Sequence, residues 1–589
     1  MDKKSAVIIG AGPAGLAAGY EFIKQGIGPL VLERSGTVGG ISRTESYKGF
    51  HFDIGGHRFF SKNDDINRIW QEMLGSDFLQ VSRLSRIYYQ NKFFNYPLRP
   101  ANALFNLGPV ESLLILLSYC RARFAPQPEE SSFEQWIINR FGERLYRTFF
   151  KTYTEKVWGI SCKEIKADWA AQRIKGLSLL VAVSNALFGG GQQAKSLVEQ
   201  FNYPKYGPGM MWQRFKDHIN AGGGKVMLNC EVSSVRHDNG RISKIVYFNG
   251  KEVQEVSAEN FISSMPISSL IKLLKPQPPA EVLQSAEQLA YRAFIIVVLI
   301  VDKAVLFPDQ WLYVHSPKVQ VGRIQNFKNW SRFMVPDQSR TSIGMEYFCN
   351  ENDPTWNMPD HELIEFAQRE MAEMGFGPAS QVIDSYVVRQ SYAYPVYDST
   401  YEKNLQNIRN YLYSFKNLQT IGRSGMHRYN NMDHSMQTGI LAAKNCCGER
   451  HDLWTVNEEK SYLEEDRTVR EIPTVPEKVL IKAFARMDKF AFATAFGAIC
   501  GLLVFSATMW IISRGGDVLN SHLRLLAQYF IGYTVTVKGA FIAFGYSFFW
   551  GFLFGWLFAY LRNLFLAIYI YRIKRKAELL SLKDFFDNF

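Results

Sequence analysis

Cysteine and charge are both scarce in this 589-residue sequence. The seven cysteines are scattered, with no CxxC pair and no histidine at metal-ligand spacing. This pattern excludes the common zinc and dithiol motifs and predicts buried thiols in a reducing compartment. Charged residues make up 21% of the chain, against 47% hydrophobic and 14% aromatic residues. The composition therefore excludes a disordered protein, and the first apolar residues belong to a strand motif rather than a secretory signal.

The positive charge is unevenly distributed. The chain is long enough for two or three domains, and its formal net charge is +12. Residues 478–589 contain 13 Lys and Arg against 5 Asp and Glu, so +8 of the +12 lies in the hydrophobic tail. Basic charge beside apolar spans is typical of a membrane anchor. We therefore expect a lipid bilayer, and not nucleic acid, as the partner of this charge.

The stretch Ser5–Glu33 has the pattern of a dinucleotide-binding βαβ unit. An apolar run enters Gly10-x-Gly12-x-x-Gly15, an Ala-rich helical pattern follows, and a second apolar run ends on Glu33. The glycines permit a tight turn, close approach of a pyrophosphate, and packing of helix on strand, while the acid accepts from a ribose hydroxyl. An ordinary glycine-rich turn is the alternative.

Two further glycine pairs follow. Gly39-Gly40 precedes Arg43, which predicts a second phosphate-proximal loop with a counter-charge, or else a plain turn. Gly55-Gly56 precedes His57, and paired glycines let backbone lie flat against a large planar ligand. A lone histidine is usually structural, so His57 gains interest only from this setting.

The middle of the chain predicts helices and then a sheet. The apolar run Leu113–Leu117 is too short to cross a bilayer, so we expect a core helix there. Read alone, Trp158 and Arg173 are equally compatible with core and surface positions. The β-rich runs between Tyr291 and Tyr394 predict the sheet of a second domain.

A last soluble motif runs from Thr420 to Met436 and includes Gly422-Arg423 and Asp433. A strand, a Gly-Arg pair and polar residues before a helix again present backbone amides to an anion. Two such helix starts at opposite ends of one domain fit a dinucleotide.

The tail has two charge-free runs, Phe490–Ser513 and Ala540–Leu561. Roughly 20 apolar residues span a bilayer, so both are transmembrane candidates, with buried helices of a soluble domain as the alternative. Their basic flanks predict cytoplasmic ends, with residues 514–538 outside and Leu519–Ile531 along the interface.

With these motifs, the sequence resembles flavin-dependent UDP-galactopyranose mutases, within the wider amine oxidase and protoporphyrinogen oxidase-like flavoproteins. The likeness covers Ser5–Cys447. Its specific parts are Gly55 through Ser61, Asn95-Tyr96-Pro97, Lys156-Val157-Trp158, Trp169 through Arg173, and Gly422 through Ser435.

The resemblance implies an α/β FAD-binding Rossmann-type domain with an inserted α+β substrate domain, to which the sequence adds C-terminal transmembrane helices. We expect the FAD domain at 1–100, 221–270 and 401–450, a mainly helical insert at 101–220, a sheet-containing substrate domain at 271–400, a linker at 451–480, and an anchor at 481–589.

The resemblance also implies redox-neutral chemistry, in which reduced FAD attacks the anomeric carbon of a sugar nucleotide and the expelled diphosphate later returns. Arg173 and Arg323 match the two arginines that hold the diphosphate. Tyr394 and Tyr429 match tyrosines that donate to it, Trp158 a tryptophan near the sugar, and His57 a histidine beside the flavin.

Residues that match FAD contacts of the family are Gly10, Gly12, Pro13, Ala14, Gly15, Glu33, Arg34, Gly39, Gly40, Arg43, Gly55, Gly56, His57, Val232, Gly422, Arg423, Met432, Asp433 and Met436. Two features depart from the family: the membrane anchor, and Arg58 where an apolar residue is usual. A lipid-linked sugar at the cytoplasmic face of the inner membrane is therefore an alternative substrate to a sugar nucleotide.

Two other function classes stay open: a membrane-bound FAD oxidoreductase of the desaturase or amine oxidase type on a hydrophobic substrate, and a flavoprotein that binds without turnover. The sequence predicts no metal site and leaves the oligomeric state open.

Overall fold

Strand Ala6–Ile9 lies at the centre of a parallel five-stranded sheet, where it pairs with Leu30–Leu32 on one side and Asn260–Ser263 on the other. Helix Pro13–Lys24 connects the first two strands. The predicted βαβ unit is therefore confirmed. Lys225–Met227 and Leu418–Thr420 are the edge strands, so segments from four distant parts of the chain build one sheet.

The structure is a computed structural model that describes residues 5–96, 98, 100–127, 129–167, 200–457, 487–513 and 525–586. It divides the chain into two compact units, Met1–Asp466 and Arg467–Phe589. The boundary falls inside the predicted linker 451–480.

The described strands are Ala6–Ile9, Leu30–Leu32, Thr44–Tyr47, Phe50–Asp53, Phe78–Ser82, Ser85–Tyr89, Lys92–Asn95, Gln200–Pro204, Lys225–Met227, Glu231–Asp238, Arg241–Phe248, Val253–Val256, Asn260–Ser263, Leu274–Lys275, Tyr291–Val301, Trp311–Val314, Arg323–Asn326, Thr341–Cys349, Val382–Pro395 and Leu418–Thr420.

The described helices are Pro13–Lys24, Asp64–Leu74, Pro100–Leu107, Pro109–Phe124, Phe133–Phe141, Glu143–Leu145, a π-helical turn Tyr146–Lys151, Thr152–Trp158, Gly209–Ala221, Ile267–Leu273, Ala280–Gln288, Phe327–Trp330, Pro354–Asn357, Asp360–Glu373, Tyr401–Leu412, Gly422–Gly425, Met432–Cys446, Lys489–Ser513 and Val537–Phe586.

Two hydrophobic cores sandwich the five-stranded sheet. Side chains of one face, such as Ile8, pack with helices Pro13–Lys24, Gly209–Ala221 and Met432–Cys446. The other face packs against the four-stranded sheet and helix Tyr401–Leu412. Because both faces are covered, the central strand is apolar at every position, as is typical of a parallel sheet.

A seven-stranded sheet forms the second layer of the first unit. Strand Tyr291–Val301, the second from one edge, is buried along nearly its whole length and pairs with Thr341–Cys349 and Val382–Pro395. The β-rich runs had predicted Tyr291–Val301 and Thr341–Cys349, whereas strand Val382–Pro395 was not predicted. Hairpin Ser85–Asn95 extends the same sheet by pairing with Trp311–Val314, so the boundary proposed at residue 100 falls after this hairpin.

One prediction for the helical layer is wrong. Helix Pro109–Phe124 forms, but of the run Leu113–Leu117 only Ile115 is buried, and the four leucines are 36–57% exposed. The helix therefore contributes only one of its faces to the core.

The cysteine prediction holds in part. Cys162, Cys230 and Cys349 are buried, whereas Cys120, Cys446, Cys447 and Cys500 are half-buried, and no disulfide links the seven, all of which the structure describes.

The second unit contains two long apolar helices. Lys489–Ser513 and the segment Val537–Ala567 of the longer helix are long and apolar enough to cross a membrane by length and composition. They pack closely at glycines: a Cβ on Gly497 would lie 2.7 Å from the Phe548 carbonyl oxygen, and a Cβ on Gly551 would lie 3.0 Å from the Gly497 Cα. Such small-residue contacts let two apolar helices approach each other.

Candidate functional site

The fingerprint turn has the geometry that its glycines require. Gly10 has a φ of +96°, and a Cβ on Gly15 would lie 1.9 Å from the Gly10 carbonyl oxygen. Glu33 ends the second strand, and its Oε2 accepts from the Ala11 amide at 2.7 Å. No side chain caps the helix at Gly12, so the amides of its first turn, apart from Pro13, are available to an anion.

The second glycine loop lies directly against this turn. A Cβ on Gly40 would lie 3.3 Å from the Gly12 Cα, and the Gly39 amide donates to the Ala11 carbonyl at 2.8 Å. Arg43 is engaged within the protein: it donates to Glu45 at 2.6 Å and to Gln390 at 2.7 Å. Its predicted role as a phosphate counter-charge stays a prediction. Arg34 is exposed beside the loop.

The last motif reaches the same place from the other end of the chain. Gly422 has a φ of +77°, and a Cβ there would lie 2.9 Å from the Ala14 Cβ. Farther along, a Cβ on Gly439 would lie 2.0 Å from the Ala14 carbonyl oxygen. The middle of helix Met432–Cys446 and the turn at Gly422 are thereby held against the start of helix Pro13–Lys24.

Three predicted cofactor residues lie in the first two turns of helix Met432–Cys446. Met432 and Asp433 are nearly buried, and Met436 is fully buried, where its sulfur accepts from the Trp70 indole at 3.2 Å. Val232 is buried on strand Glu231–Asp238, just after Cys230, whose amide donates to the Glu33 carbonyl at 2.7 Å. The predicted FAD residues therefore border one region of the five-stranded sheet.

The Gly55-Gly56 pair has two different tasks. Gly55 has a φ of +97°, so it needs glycine for its backbone conformation. A Cβ on Gly56 would lie 2.1 Å from the Trp311 ring. Gly56 thus makes room for a protein side chain, where the sequence had suggested a planar ligand.

His57 is oriented by backbone carbonyls. Its Nε2 lies 2.9 Å from the Ile41 oxygen and 2.8 Å from the Ile54 oxygen, so Nε2–H is the donor and Nδ1 carries the lone pair. Burial, together with the positive charges of Arg423 and Arg323, lowers the pKa of His57 to about 4. His57 is therefore neutral at physiological pH.

Arg323 is held from two sides. Its Nε donates to Glu346 at 2.7 Å, and its Nη2 donates to the Tyr394 hydroxyl at 2.8 Å. Glu346 is fully buried and lies directly opposite Arg323 in the strand register. Its charge raises the pKa of Arg323 further above the ordinary value, against the opposing effect of burial.

Aromatic rings surround the Arg323–Glu346 ion pair. Tyr394 stacks on Tyr429 with ring centroids 5.8 Å apart, and the Trp158 ring lies 6.2 Å from Tyr394 and 6.3 Å from Tyr429. The Arg423 guanidinium lies 4.7 Å from the Tyr429 ring centre. The structure thus brings together five of the six predicted catalytic residues. Arg173, with the motif that starts at Trp169, lies outside the described residues.

Sequence reasoning missed the residues that support this pocket. Lys156 donates to the carbonyls of Ser316 and Val321 at 2.7 Å and 3.2 Å, which fixes the loop before Arg323. Arg292 donates to the Lys156 and Val157 carbonyls at the end of helix Thr152–Trp158. The Lys156-Val157-Trp158 motif was a signal for Lys156, whereas Glu346 and Arg292 are recognisable only from strand register.

The family described as flavin containing amine oxidoreductase matches residues 13–448, well over half of the chain. The chain belongs to this family. It is a flavoenzyme with FAD as cofactor, and the uncapped start of helix Pro13–Lys24 is suited to hold a phosphate group.

Curated relatives from two functional classes are similar to the chain. A 15-cis-phytoene desaturase of Arabidopsis thaliana is 24% identical over 301 residues, 47% of this chain and 50% of that protein. A probable UDP-galactopyranose mutase of Klebsiella pneumoniae is 26% identical over 187 residues, 28% of this chain and 44% of that protein. The chain thus spans about half the length of the curated relatives it matches.

Solved structures support the fold. A reduced UDP-galactopyranose mutase superposes with a TM-score of 0.67 at 22% identity, covering 77% of this chain and 98% of that one. A putative protoporphyrinogen oxidase from Exiguobacterium sp. 255-15 gives a TM-score of 0.58 at 16% identity, covering 76% and 99%. At these identities the likeness concerns the fold alone.

Proposed function

We propose that this flavoenzyme interconverts the pyranose and furanose forms of a sugar whose anomeric carbon carries a diphosphate, with no net oxidation. The diphosphate is that of a sugar nucleotide or of a polyprenyl carrier. The observation that carries the proposal is the position of Arg323. Glu346 and Tyr394 orient its guanidinium, and its positive charge is near enough to His57 to help lower the pKa of that histidine.

The side chains of the pocket suit a diphosphate that leaves and returns. A guanidinium donates in a planar fork that matches phosphate oxygens, and the Tyr394 and Tyr429 hydroxyls add neutral donors beside it. Trp158 supplies an apolar surface next to the two tyrosines. Bound FAD in its reduced form would supply the nucleophile, and we propose Arg173 as a second arginine for the diphosphate.

A membrane-bound oxidoreductase on a hydrophobic substrate is the second candidate. The observation in its favour is that Glu346 neutralises Arg323, so the pair adds little net charge to a pocket lined mainly by aromatic rings. Similarity to the desaturase also extends over more residues than similarity to the mutase.

We also propose that the two apolar helices anchor the enzyme in the inner membrane, with the FAD unit on the cytoplasmic side. The support is the basic charge that flanks both apolar runs in the sequence.

The test is turnover by the full chain with bound FAD. The flavin is reduced chemically without oxygen, UDP-galactopyranose or polyprenyl-diphosphate galactopyranose is added, and the sugar products are separated by chromatography. A furanose product formed without oxygen consumption supports the mutase. Oxygen-dependent turnover of a hydrophobic substrate, with no furanose formed, contradicts it.

A matched pair of variants connects the result to the pocket. Arg323→Lys keeps the charge beside Glu346 but loses the fork, so we expect a severalfold lower turnover with full flavin content. Arg340→Lys makes the same change in a half-exposed arginine that pairs with Asp302 and Asp337, and should behave as the parent enzyme. Equal turnover in both variants would remove Arg323 from the proposed site.

A further inference from the structure

Helix Pro109–Phe124 has apolar residues on two opposite faces. One face is buried: Ile115, Tyr119 and Ala122 pack towards helix Phe133–Phe141, and the loop at Gly142 approaches the Tyr119 backbone. A helix that is apolar all round is normally buried in a core or in lipid. Packing against the protein explains the apolar residues on only one of the two faces.

The opposite face is exposed. Val110 is 71% exposed, Leu113 57%, Leu117 56% and Phe124 89%. Spacings of three, four and seven residues place these four side chains, here named the apolar face, on one side of the helix. Phe105 on the neighbouring helix Pro100–Leu107 is also 89% exposed.

The charges on this helix favour an anionic partner. Arg121 follows Leu117 by one turn and lies on the apolar face, and Arg123 is exposed on another side of the same turn. The acidic Glu111 is occupied elsewhere, since both its oxygens accept from Arg144 at 2.7 Å and 2.9 Å. Exposed leucines and phenylalanine with arginines among them are typical of a helix lying in a lipid interface.

We infer that the apolar face docks on the surface of a bilayer containing anionic lipids. The inference rests on the proposed membrane association, which the two apolar helices of the second unit support. A second copy of the chain fits less well, because the helix offers Arg121 and Arg123 no acidic partner in a two-fold contact, since its Glu111 already pairs with Arg144. Lipid phosphates neutralise those arginines instead.

Packed aromatic rings connect the docking helices to the proposed diphosphate site. Tyr96 lies just before helix Pro100–Leu107, its ring is 4.6 Å from that of Tyr313, and the Tyr313 ring is 5.6 Å from that of Tyr153. Tyr153 in turn lies within electrostatic range of Arg323. These rings pack against one another, and they connect the docking helices to the side chains around Arg323.

The test uses photocrosslinking by the full chain in nanodiscs of phosphatidylglycerol and phosphatidylcholine. The photoreactive residue p-benzoylphenylalanine replaces Leu117, and peptides are analysed for lipid adducts after irradiation. We expect a lipid adduct at this position, with severalfold lower yield when phosphatidylglycerol is omitted or when Arg121→Gln and Arg123→Gln are combined. Flavin content shows that each variant is folded.

Two control positions separate the possible failures. Val305 is 69% exposed on a loop of the first unit, and we expect no adduct there beyond background. Phe549 is 60% exposed on the second apolar helix and should always give one. An adduct at Phe549 without one at Leu117, or a Leu117 cross-link to a second chain, overturns the docking inference alone. No adduct at Phe549 overturns the membrane association and the docking together.

Discussion

The guanidinium of Arg323 and the hydroxyl of Tyr394 are joined by a hydrogen bond of 2.8 Å across the face of the seven-stranded sheet. The two residues lie on strands separated by two others, so only their long side chains can meet. Glu346, on the strand next to Arg323, accepts a second hydrogen bond from the guanidinium. The position of this arginine is therefore set by three strands at once.

Tyr394→Phe removes that hydrogen bond and leaves the ring stack with Tyr429. A hydrogen bond to a charged group contributes about 1.5–3 kcal/mol, so we expect kcat/KM to fall by about tenfold to a hundredfold, with unchanged flavin binding. Steady-state kinetics on the proposed substrates checks this. Tyr386→Phe makes the same change on the same strand beside Phe52 and should have little effect. A parent-like Tyr394→Phe enzyme would contradict the proposed role.

Lys156→Met should destabilise the fold. Burial lowers the pKa of Lys156 to about 8, and its ammonium is held by backbone carbonyls of residues 314–321. Removing the ammonium leaves those carbonyls without a hydrogen-bond donor, which lowers the free energy of unfolding by about 1–3 kcal/mol. Urea unfolding of the two proteins measures the difference. Lys318→Met, at an exposed position of the same loop, is the control. Equal urea midpoints for the two variants would contradict the prediction.

Gly439→Ala should weaken FAD binding. The added Cβ would lie 2.0 Å from the Ala14 carbonyl oxygen, so the two helices that start at Gly12 and Met432 must move apart. Flavin content after purification and titration of the apoprotein with FAD check this. Gly36→Ala serves as the control, because a Cβ there meets only the Asn229 side chain at 3.4 Å. Retention of parental FAD affinity by Gly439→Ala would show that the helix contact is not needed.

The stability of the protein should depend on His57 at mildly acidic pH. Its pKa in the folded chain is about 4, against an ordinary value of 6.5. Between these values the unfolded chain binds a proton that the folded chain does not, so the free energy of unfolding falls as the pH is lowered through this window. Denaturant unfolding at several pH values should give a shallower decline for His57→Gln. Buried His315 and His427, whose pKa values are also lowered, keep part of the slope in the variant. Parallel declines would contradict the prediction.

Local patterns carried the prediction of the nucleotide-binding βαβ unit and of strands in the second sheet. The Gly10-x-Gly12-x-x-Gly15 turn and the β-rich runs from Tyr291 to Tyr394 are encoded by neighbouring residues, so strands and turns could be predicted from sequence. Helix Pro109–Phe124 was predicted as a helix for the same reason, but its burial was not, because an apolar run does not reveal which of its faces has a packing partner.

By itself, the sequence determined the βαβ unit that starts at Ala6, the tight turn at Gly10 and the two apolar runs of the tail, since each depends on residues close together in the chain. Only the tertiary structure decided that Glu346 faces Arg323, that Gly56 accommodates Trp311, and that Gly439 packs on Ala14. Those contacts join residues far apart in the chain, and strand register and helix packing set them.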